Sequence, residues 1–143
     1  MADLPVIDLN HDWRFLSADD IDPAYGVSAL DESAWGVLPA LADFPREGIG
    51  YDRPLNLQRR FDLEPIGEVC LRYVLEVANA PARTTISING WRAATSSGDP
   101  LTVDVTDWVT LEDNRILLQV FSKRGVLNGV RVYAVPCDSP SLA

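Results

Sequence analysis

The residues best suited to sugar binding follow a tight turn in the second half of the chain. Trp91 and Arg92 come directly after the dipeptide Asn89-Gly90. An aromatic ring can stack on the apolar face of a pyranose, and planar polar groups can bond to its hydroxyls. The competing interpretation is that Trp91 packs over the edge of the fold and Arg92 is a solvated surface charge, because isolated exposed residues of both kinds are common. The other candidate ligand-binding residues, in a long loop and a second turn, are Tyr51, Arg53 and Asn128.

The sequence has no recognisable catalytic constellation. A single histidine, His11, leaves few options for a Ser-His-Asp or Cys-His site. Together with the chain's two cysteines, this histidine provides too few ligands for a usual zinc site. Glycosidases need two carboxylates about 5–9.5 Å apart, and none of the 21 acidic residues lies in a recognisable catalytic context. We therefore predict that this chain is not an enzyme by itself.

Charge and hydropathy limit the partners and the location. The chain has 12 basic and 21 acidic residues and a net charge of −9, so a nucleic acid would be repelled over most of its surface. No apolar run approaches the roughly 20 residues that a membrane helix needs. The N-terminus has neither the basic region nor the apolar stretch of a signal peptide. These features predict a cytoplasmic protein with Cys70 and Cys137 as reduced thiols.

Period-two patterning predicts strands through the last two-thirds of the chain. Apolar residues occupy the odd positions of residues 69–77, while Arg72 and Glu76 lie between them, so one face is buried. The dipeptide Asn89-Gly90 predicts a β-hairpin, because it readily adopts the positive φ values of a type I′ turn. About eight short strands at roughly ten-residue spacing predict an all-β jelly-roll sandwich. Further alternating segments are residues 55–63, 84–88, 101–105, 116–120 and 130–134.

The first third of the chain has weaker periodicity. Residues 31–35 predict one helical turn, and residues 39–54 have no period and predict a long surface loop. Arg59 and Arg60 face opposite sides of one strand, and one of them is expected to form an internal ion pair. We predict one domain over residues 1–143, with the core at 9–137 and a frayed tail at 138–143. The tryptophans expected in the core or at its rim are Trp13, Trp35 and Trp108.

The order of seven short motifs resembles the N-terminal sugar-binding domain of glycoside hydrolase family 2, the family of β-galactosidase, β-glucuronidase and β-mannosidase. The motifs cover nearly the whole chain. They are residues 9–15 (LNHDWRF), 31–39 (DESAWGVLP), 58–63 (QRRFDL), 86–90 (ISING), 103–109 (VDVTDWV), 114–120 (NRILLQV) and 125–132 (GVLNGVRV).

The resemblance implies a galactose-binding-domain-like jelly roll in a carbohydrate context. It does not imply catalysis, because the family's catalytic glutamates belong to a (β/α)₈ barrel that 143 residues cannot include. The chain departs from the family at residues 93–100, where a Gly-Gly-Tyr-like element is usual, and at Asn128, where an arginine is common. The expected partners are a glycan or a glycoside hydrolase catalytic domain. The alternative is a structural or protein-interaction module of the same fold without sugar affinity.

The resemblance also allows for one structural calcium ion, which such sandwiches often hold. Asp19, Asp20 and Asp22 offer hard carboxylate ligands close together. Their spacing is not that of an EF-hand loop, and the alternative is a solvated acidic loop. No other cofactor is expected.

Overall fold

The computed structural model describes residues 6–17, 36–45, 49, 53–63 and 70–137. Within these ranges ten strands form two antiparallel sheets, which agrees with the predicted all-β sandwich. The strands are β1 (Val6–Asp8), β2 (His11–Ser17), β3 (Gly36–Ala40), β4 (Leu55–Phe61), β5 (Leu71–Asn79), β6 (Thr85–Ile88), β7 (Trp91–Thr95), β8 (Leu101–Asp104), β9 (Asn114–Val120) and β10 (Asn128–Pro136). One sheet has the order β1-β10-β5-β8, and the other has the order β3-β2-β4-β9-β6-β7.

The two sheets pack against each other through alternating apolar side chains. In β9, Ile116, Leu118 and Val120 are fully buried, while the residues between them are half-buried on the other face. These side chains join one core cluster with Leu75 and Val77 of the four-stranded sheet. Alternation of this kind gives a strand one buried face, which is the pattern that the sequence predicted.

Two of the three tryptophans predicted to lie in the core or at its rim are confirmed there. Trp13 is buried, and its indole N–H donates to the backbone oxygen of Leu9 at 2.6 Å, so the ring is buried with its polar atom satisfied. Trp108 is half-buried and packs against the core cluster. Trp35 lies outside the described residues.

The Asn89-Gly90 hairpin is confirmed. Asn89 and Gly90 have φ values of 50° and 88°, and they join β6 to β7, which pair antiparallel. The register shifts between Ile86 and Ser87, which marks a β-bulge in this hairpin. Positive φ at both central positions is the conformation that a type I′ turn requires.

The predicted loop over residues 39–54 is wrong at its beginning. Strand β3 extends to Ala40 and is followed by a 3₁₀ turn at Leu41–Asp43. Pro39 weakened the strand prediction, but β3 is the edge strand of its sheet, where a missing backbone N–H is tolerated. Phe44 and Ile49 are also buried in the core, so this segment is anchored by apolar side chains.

The prediction of reduced thiols is wrong, because Cys70 and Cys137 form a disulfide. Their Cα atoms are 5.5 Å apart and 67 positions separate them in sequence. The pairing of β5 with β10 places Leu71 opposite Pro136, so the residues just outside that pair meet at the end of the sheet.

Among the described residues there is no helix long and apolar enough to cross a membrane.

An ion pair on the four-stranded sheet gives a pH-dependent contribution to stability. Asp104 accepts hydrogen bonds from Arg72 Nε and Nη2 at 3.0 and 2.9 Å, and from Thr106 Oγ1 at 2.6 Å. Burial raises the pKa of the Asp104 carboxyl, but the bonds from Thr106 and Arg72 together outweigh it and lower that pKa below its usual value. A carboxyl whose pKa is lowered by folding stabilises the folded state only while it is ionised.

We expect the Asp104→Asn variant to lose less stability on acidification than the parent chain. The contribution of Asp104 is present above about pH 4 and is lost as the pH falls through its lowered folded pKa. Because the pair is one-third exposed, the difference should stay below about 1 kcal/mol. Urea unfolding at pH 7 and pH 3 measures it, with Asp99→Asn in the exposed loop before β8 as the control. Equal acid sensitivity of Asp104→Asn and the parent would contradict this account.

Candidate functional site

A groove of about 640 Å³ crosses the outer face of the six-stranded sheet. We call it the outer-sheet groove, and its volume lies within the range of typical ligand sites. The strands that build it, β4, β9 and β6, are neighbours in the sheet although they are far apart in sequence. Its lining residues are Gln58, Arg60, Ser87, Asn89, Gly90, Asp113, Arg115 and Leu117.

The floor of the groove is a row of cross-strand neighbours. Gln58 of β4 pairs with Leu117 of β9, which pairs in turn with Ser87 of β6. These side chains point away from the core because their chain neighbours, such as Leu57, Ile116 and Ile88, point into it. Gln58 is only 2% exposed, so the floor is sunken. The row places an amide, an aliphatic side chain and a hydroxyl side by side.

The second row of the groove is charged. Arg60 of β4 lies opposite Arg115 of β9. Arg60 Nη1 donates to Asp113 Oδ1 at 2.6 Å, and the backbone N–H of Asp113 donates to Asp62 Oδ1 at 2.7 Å. The predicted internal ion pair is therefore at the surface, since the Arg60 and Asp113 side chains are 38% and 67% exposed. The other arginine of the motif, Arg59, donates instead to the backbone oxygen of His11 at 2.7 Å.

The end wall of the groove is the β6–β7 turn, which a buried amide network holds in place. Asn89 Oδ1 accepts from the backbone N–H of Arg115 at 2.8 Å. Its Nδ2 donates to the backbone oxygen of Trp108 at 2.6 Å and to Asn114 Oδ1 at 3.0 Å. Asn114 is fully buried. The position of the turn is thus fixed relative to the start of β9.

Two of the predicted ligand-binding residues lie beside this groove. Trp91 is the first residue of the edge strand β7 and follows Gly90 directly. It pairs with Ile88 of β6 and is 63% exposed. The competing interpretation, in which Trp91 packs over the sandwich, does not agree with that exposure. Arg92 pairs with Ser87 and continues the floor row by one strand. Trp91 and Arg92 therefore lie on opposite faces of β7, at the edge of the sheet next to the groove.

Asn128 and Arg53 lie at the other end of the sandwich. Arg53 is exposed and lies two residues before Leu55. Leu55 pairs with Val120 at the end of β9, whereas Asn89 bonds to the start of β9. Asn128 begins β10 in the other sheet, opposite Asn79, whose Nδ2 donates to Asn128 Oδ1 at 2.7 Å. A strand of seven residues spans about 20 Å. The predicted residues therefore do not form one site.

The remaining predicted residues lie outside the described part of the chain. These are Tyr51 and the proposed calcium ligands Asp19, Asp20 and Asp22. Within the described ranges, no group of three or more histidine, cysteine, aspartate or glutamate side chains could hold a metal ion. Calcium at the acidic loop thus stays a prediction.

Most of the groove residues, including Gln58, Ser87 and Arg115, are not predicted from the sequence. Each of them is the polar member of an alternating strand, which is also the pattern of any solvated sheet face. The available signal was the presence of arginines at outward positions of neighbouring motifs. That signal has meaning only once the order of the strands is known.

Comparison with known proteins shows the fold. No family model matches the sequence, and no curated protein matches it. A β-glucuronidase of Bacteroides uniformis matches with a TM-score of 0.71 at 20% identity, over 94% of this chain and 18% of that chain. A glycosyl hydrolase family 2 member of Bacteroides cellulosilyticus DSM 14838 matches with a TM-score of 0.69 at 16% identity, over 92% of this chain and 21% of that chain.

A β-D-glucuronidase of Dictyoglomus thermophilum also matches, with a TM-score of 0.67 at 16% identity, over 94% of this chain and 28% of that chain. This chain therefore spans between 18% and 28% of the length of these enzymes. The resemblance inferred from the seven motifs is confirmed at the level of the fold: the chain has the fold of one domain within the much longer chains of these enzymes.

Proposed function

We propose that this chain is a carbohydrate-associated domain without catalytic activity of its own, and that it binds glycan in the outer-sheet groove. The observation that carries the proposal is the composition of the groove, together with an exposed aromatic ring on the adjoining edge strand. Ser87 offers a hydroxyl group beside the aliphatic Leu117, while the Asn89 amide holds the turn that forms the end wall. Trp91 is 63% exposed on the opposite face of the edge strand β7, so a glycan that passes over this edge would contact its ring. Small-molecule sites usually combine apolar or aromatic surface with a few convergent polar groups.

The groove itself favours binding over hydrolysis. Among its described lining residues Asp113 is the one carboxylate, and it is bonded to Arg60. Glycoside hydrolysis uses a pair of carboxylates on either side of the scissile bond. In the solved relatives the same fold is one part of a longer chain. The proposed role is therefore to hold a glycan weakly, or to complete the wall of a site on a glycoside hydrolase catalytic domain. This chain would do so either as a free-standing protein or joined to that domain.

A second candidate function is a protein-interaction module of the same fold. Exposed apolar side chains favour it, since Val37 and Trp91 are both 63% exposed and Val6 is 57% exposed. The replacement of the family's Gly-Gly-Tyr-like element by residues 93–100 also favours it. A glycan array with the purified chain separates the two functions, because the interaction module predicts no bound glycan.

Replacing Trp91 by alanine should weaken glycan binding about tenfold without unfolding the domain. The expected loss is the stacking contact of one aromatic ring, about 1–2 kcal/mol. Stability should change little, because the ring is exposed on an edge strand. Calorimetric titration with an array hit gives the affinity, and a thermal melt gives the stability.

The matched control is Val126→Ala, which removes a 51% exposed apolar side chain at the other end of the sandwich. It should leave the affinity unchanged. Equal affinities for the parent and Trp91→Ala would remove Trp91 from the site. A much lower melting temperature of Trp91→Ala would show that its ring is part of the packing.

A further inference from the structure

We propose that the outer-sheet groove selects acidic oligosaccharides, a specificity that rests on the proposed glycan binding. The carrying observation is the concentration of arginine on one sheet face of an acidic protein. The chain has a net charge of −9 and 12 basic residues. Four of these basic residues take outward positions on neighbouring strands of the six-stranded sheet: Arg14, Arg60, Arg92 and Arg115.

The arginines frame the groove along its length. The floor row continues in register on both sides, from Arg14 of β2 through Gln58, Leu117 and Ser87 to Arg92 of β7. Five strands about 4.8 Å apart make this row about 19 Å long. Arg14 and Arg92 are exposed at its two ends, and Arg60 and Arg115 lie in the next row. The length suits an oligosaccharide that crosses the strands rather than a single sugar.

Arginines outnumber carboxylates on the described part of this sheet face. On β4, β9, β6 and β7 the outward positions include three arginines and no carboxylate. Asp113 reaches the groove from the turn before β9, and on β2 the exposed Asp12 lies two residues before Arg14. A guanidinium presents a planar fork of donors that fits a carboxylate with two parallel hydrogen bonds. Ser87, between the arginines, is suited to a sugar hydroxyl.

Two other acidic ligands fit the groove less well. A nucleic acid would be repelled by the net charge of −9 over the rest of the surface. An extended acidic peptide usually docks on a sheet edge, where unpaired backbone groups give it affinity. The groove instead crosses the middle of a sheet, where neighbouring strands already pair the backbone groups. Recognition must therefore come from side chains, which favours a ligand rich in hydroxyls and carboxylates.

The test is a glycan array followed by a matched pair of probes. The array includes uronate-containing, sialylated, sulfated and neutral oligosaccharides. The pair is the α-1,4-linked tetramer of galacturonic acid and the same tetramer with every carboxyl methyl-esterified, which removes the charge and keeps the sugar chain. We expect the free acid to bind at least tenfold more tightly than the ester at low salt. This preference should vanish in 1 M NaCl, where the Debye length is about 3 Å.

Charge-removing variants locate the selectivity. Arg14→Gln and Arg92→Gln should each weaken binding of the free acid roughly five- to tenfold and leave binding of the ester unchanged. The control is Arg124→Gln, which removes an exposed charge at the other end of the sandwich and should have no effect. All three positions are exposed, so the variants should fold.

Each outcome discriminates. Binding of acid and ester with equal affinity, or array hits confined to neutral glycans, would overturn the acidic selectivity and leave the glycan-binding proposal intact. The absence of any bound glycan would overturn both proposals. Equal binding of poly-glutamate and the galacturonate tetramer would show that the face attracts any polyanion and would overturn selectivity for acidic saccharides.

Discussion

Reduction of the Cys70–Cys137 disulfide is expected to lower the free energy of unfolding by about 4 kcal/mol. The bond closes a loop across 67 positions of sequence. In the chain-entropy model, a cross-link over a loop of this length lowers the conformational entropy of the unfolded state. At 25 °C this raises the free energy of unfolding by about 4 kcal/mol. Guanidinium unfolding of the oxidised and the reduced chain measures the difference. The Cys70→Ser, Cys137→Ser double variant should resemble the reduced chain.

The double variant also supplies the control, because a reductant should not change its unfolding midpoint. Equal midpoints of the oxidised and reduced parent chains would contradict a stabilising role for the bond. The same chemistry bears on location. The reduced thiols were predicted from the absence of a signal peptide, whereas such disulfides persist mainly in oxidising compartments. Trapping the thiols with an alkylating reagent in intact cells tests that location directly.

The sequence predicted the strands better than it predicted their partners. Alternation in residues 116–120 marked the buried face of β9, and Asn89-Gly90 located the hairpin, because both signals depend on neighbours along the chain. The disulfide depends instead on the register of β5 against β10, which places Leu71 opposite Pro136. Nothing local specifies that register. The two cysteines therefore looked unrelated in the sequence.

The candidate site follows the same division. Trp91 and Arg92 were found because both lie next to a turn with a strong local signal. Gln58, Leu117 and Ser87 come from three strands that are adjacent in space in the order β4-β9-β6, which is not their order along the chain. Asn128 resembled a member of the site only through its motif, and the fold places it at the far end of the other sheet. Sheet order, rather than residue type, thus decides which polar residues share a groove.

Replacing Asn114 by alanine is expected to lower the free energy of unfolding by about 3 kcal/mol. The side chain is fully buried at the start of β9. Its Oδ1 accepts from the backbone N–H of Thr110 at 2.7 Å and from Asn89 Nδ2 at 3.0 Å. Its Nδ2 donates to the backbone oxygens of Thr110 at 2.7 Å and Phe61 at 3.3 Å. Alanine would leave several of these buried groups without partners, and each costs about 1–3 kcal/mol.

The matched control is Asn128→Ala, since that half-buried asparagine bonds to the exposed side chain of Asn79. Its loss should stay below about 1 kcal/mol. Urea unfolding measures both variants, and a loss below about 1 kcal/mol for Asn114→Ala would show that its network contributes little.

Asn114 also holds Asn89, which forms the end wall of the outer-sheet groove. If the groove binds glycan, Asn114→Ala should therefore weaken binding under conditions where the variant is still folded, whereas Asn128→Ala should leave the affinity unchanged.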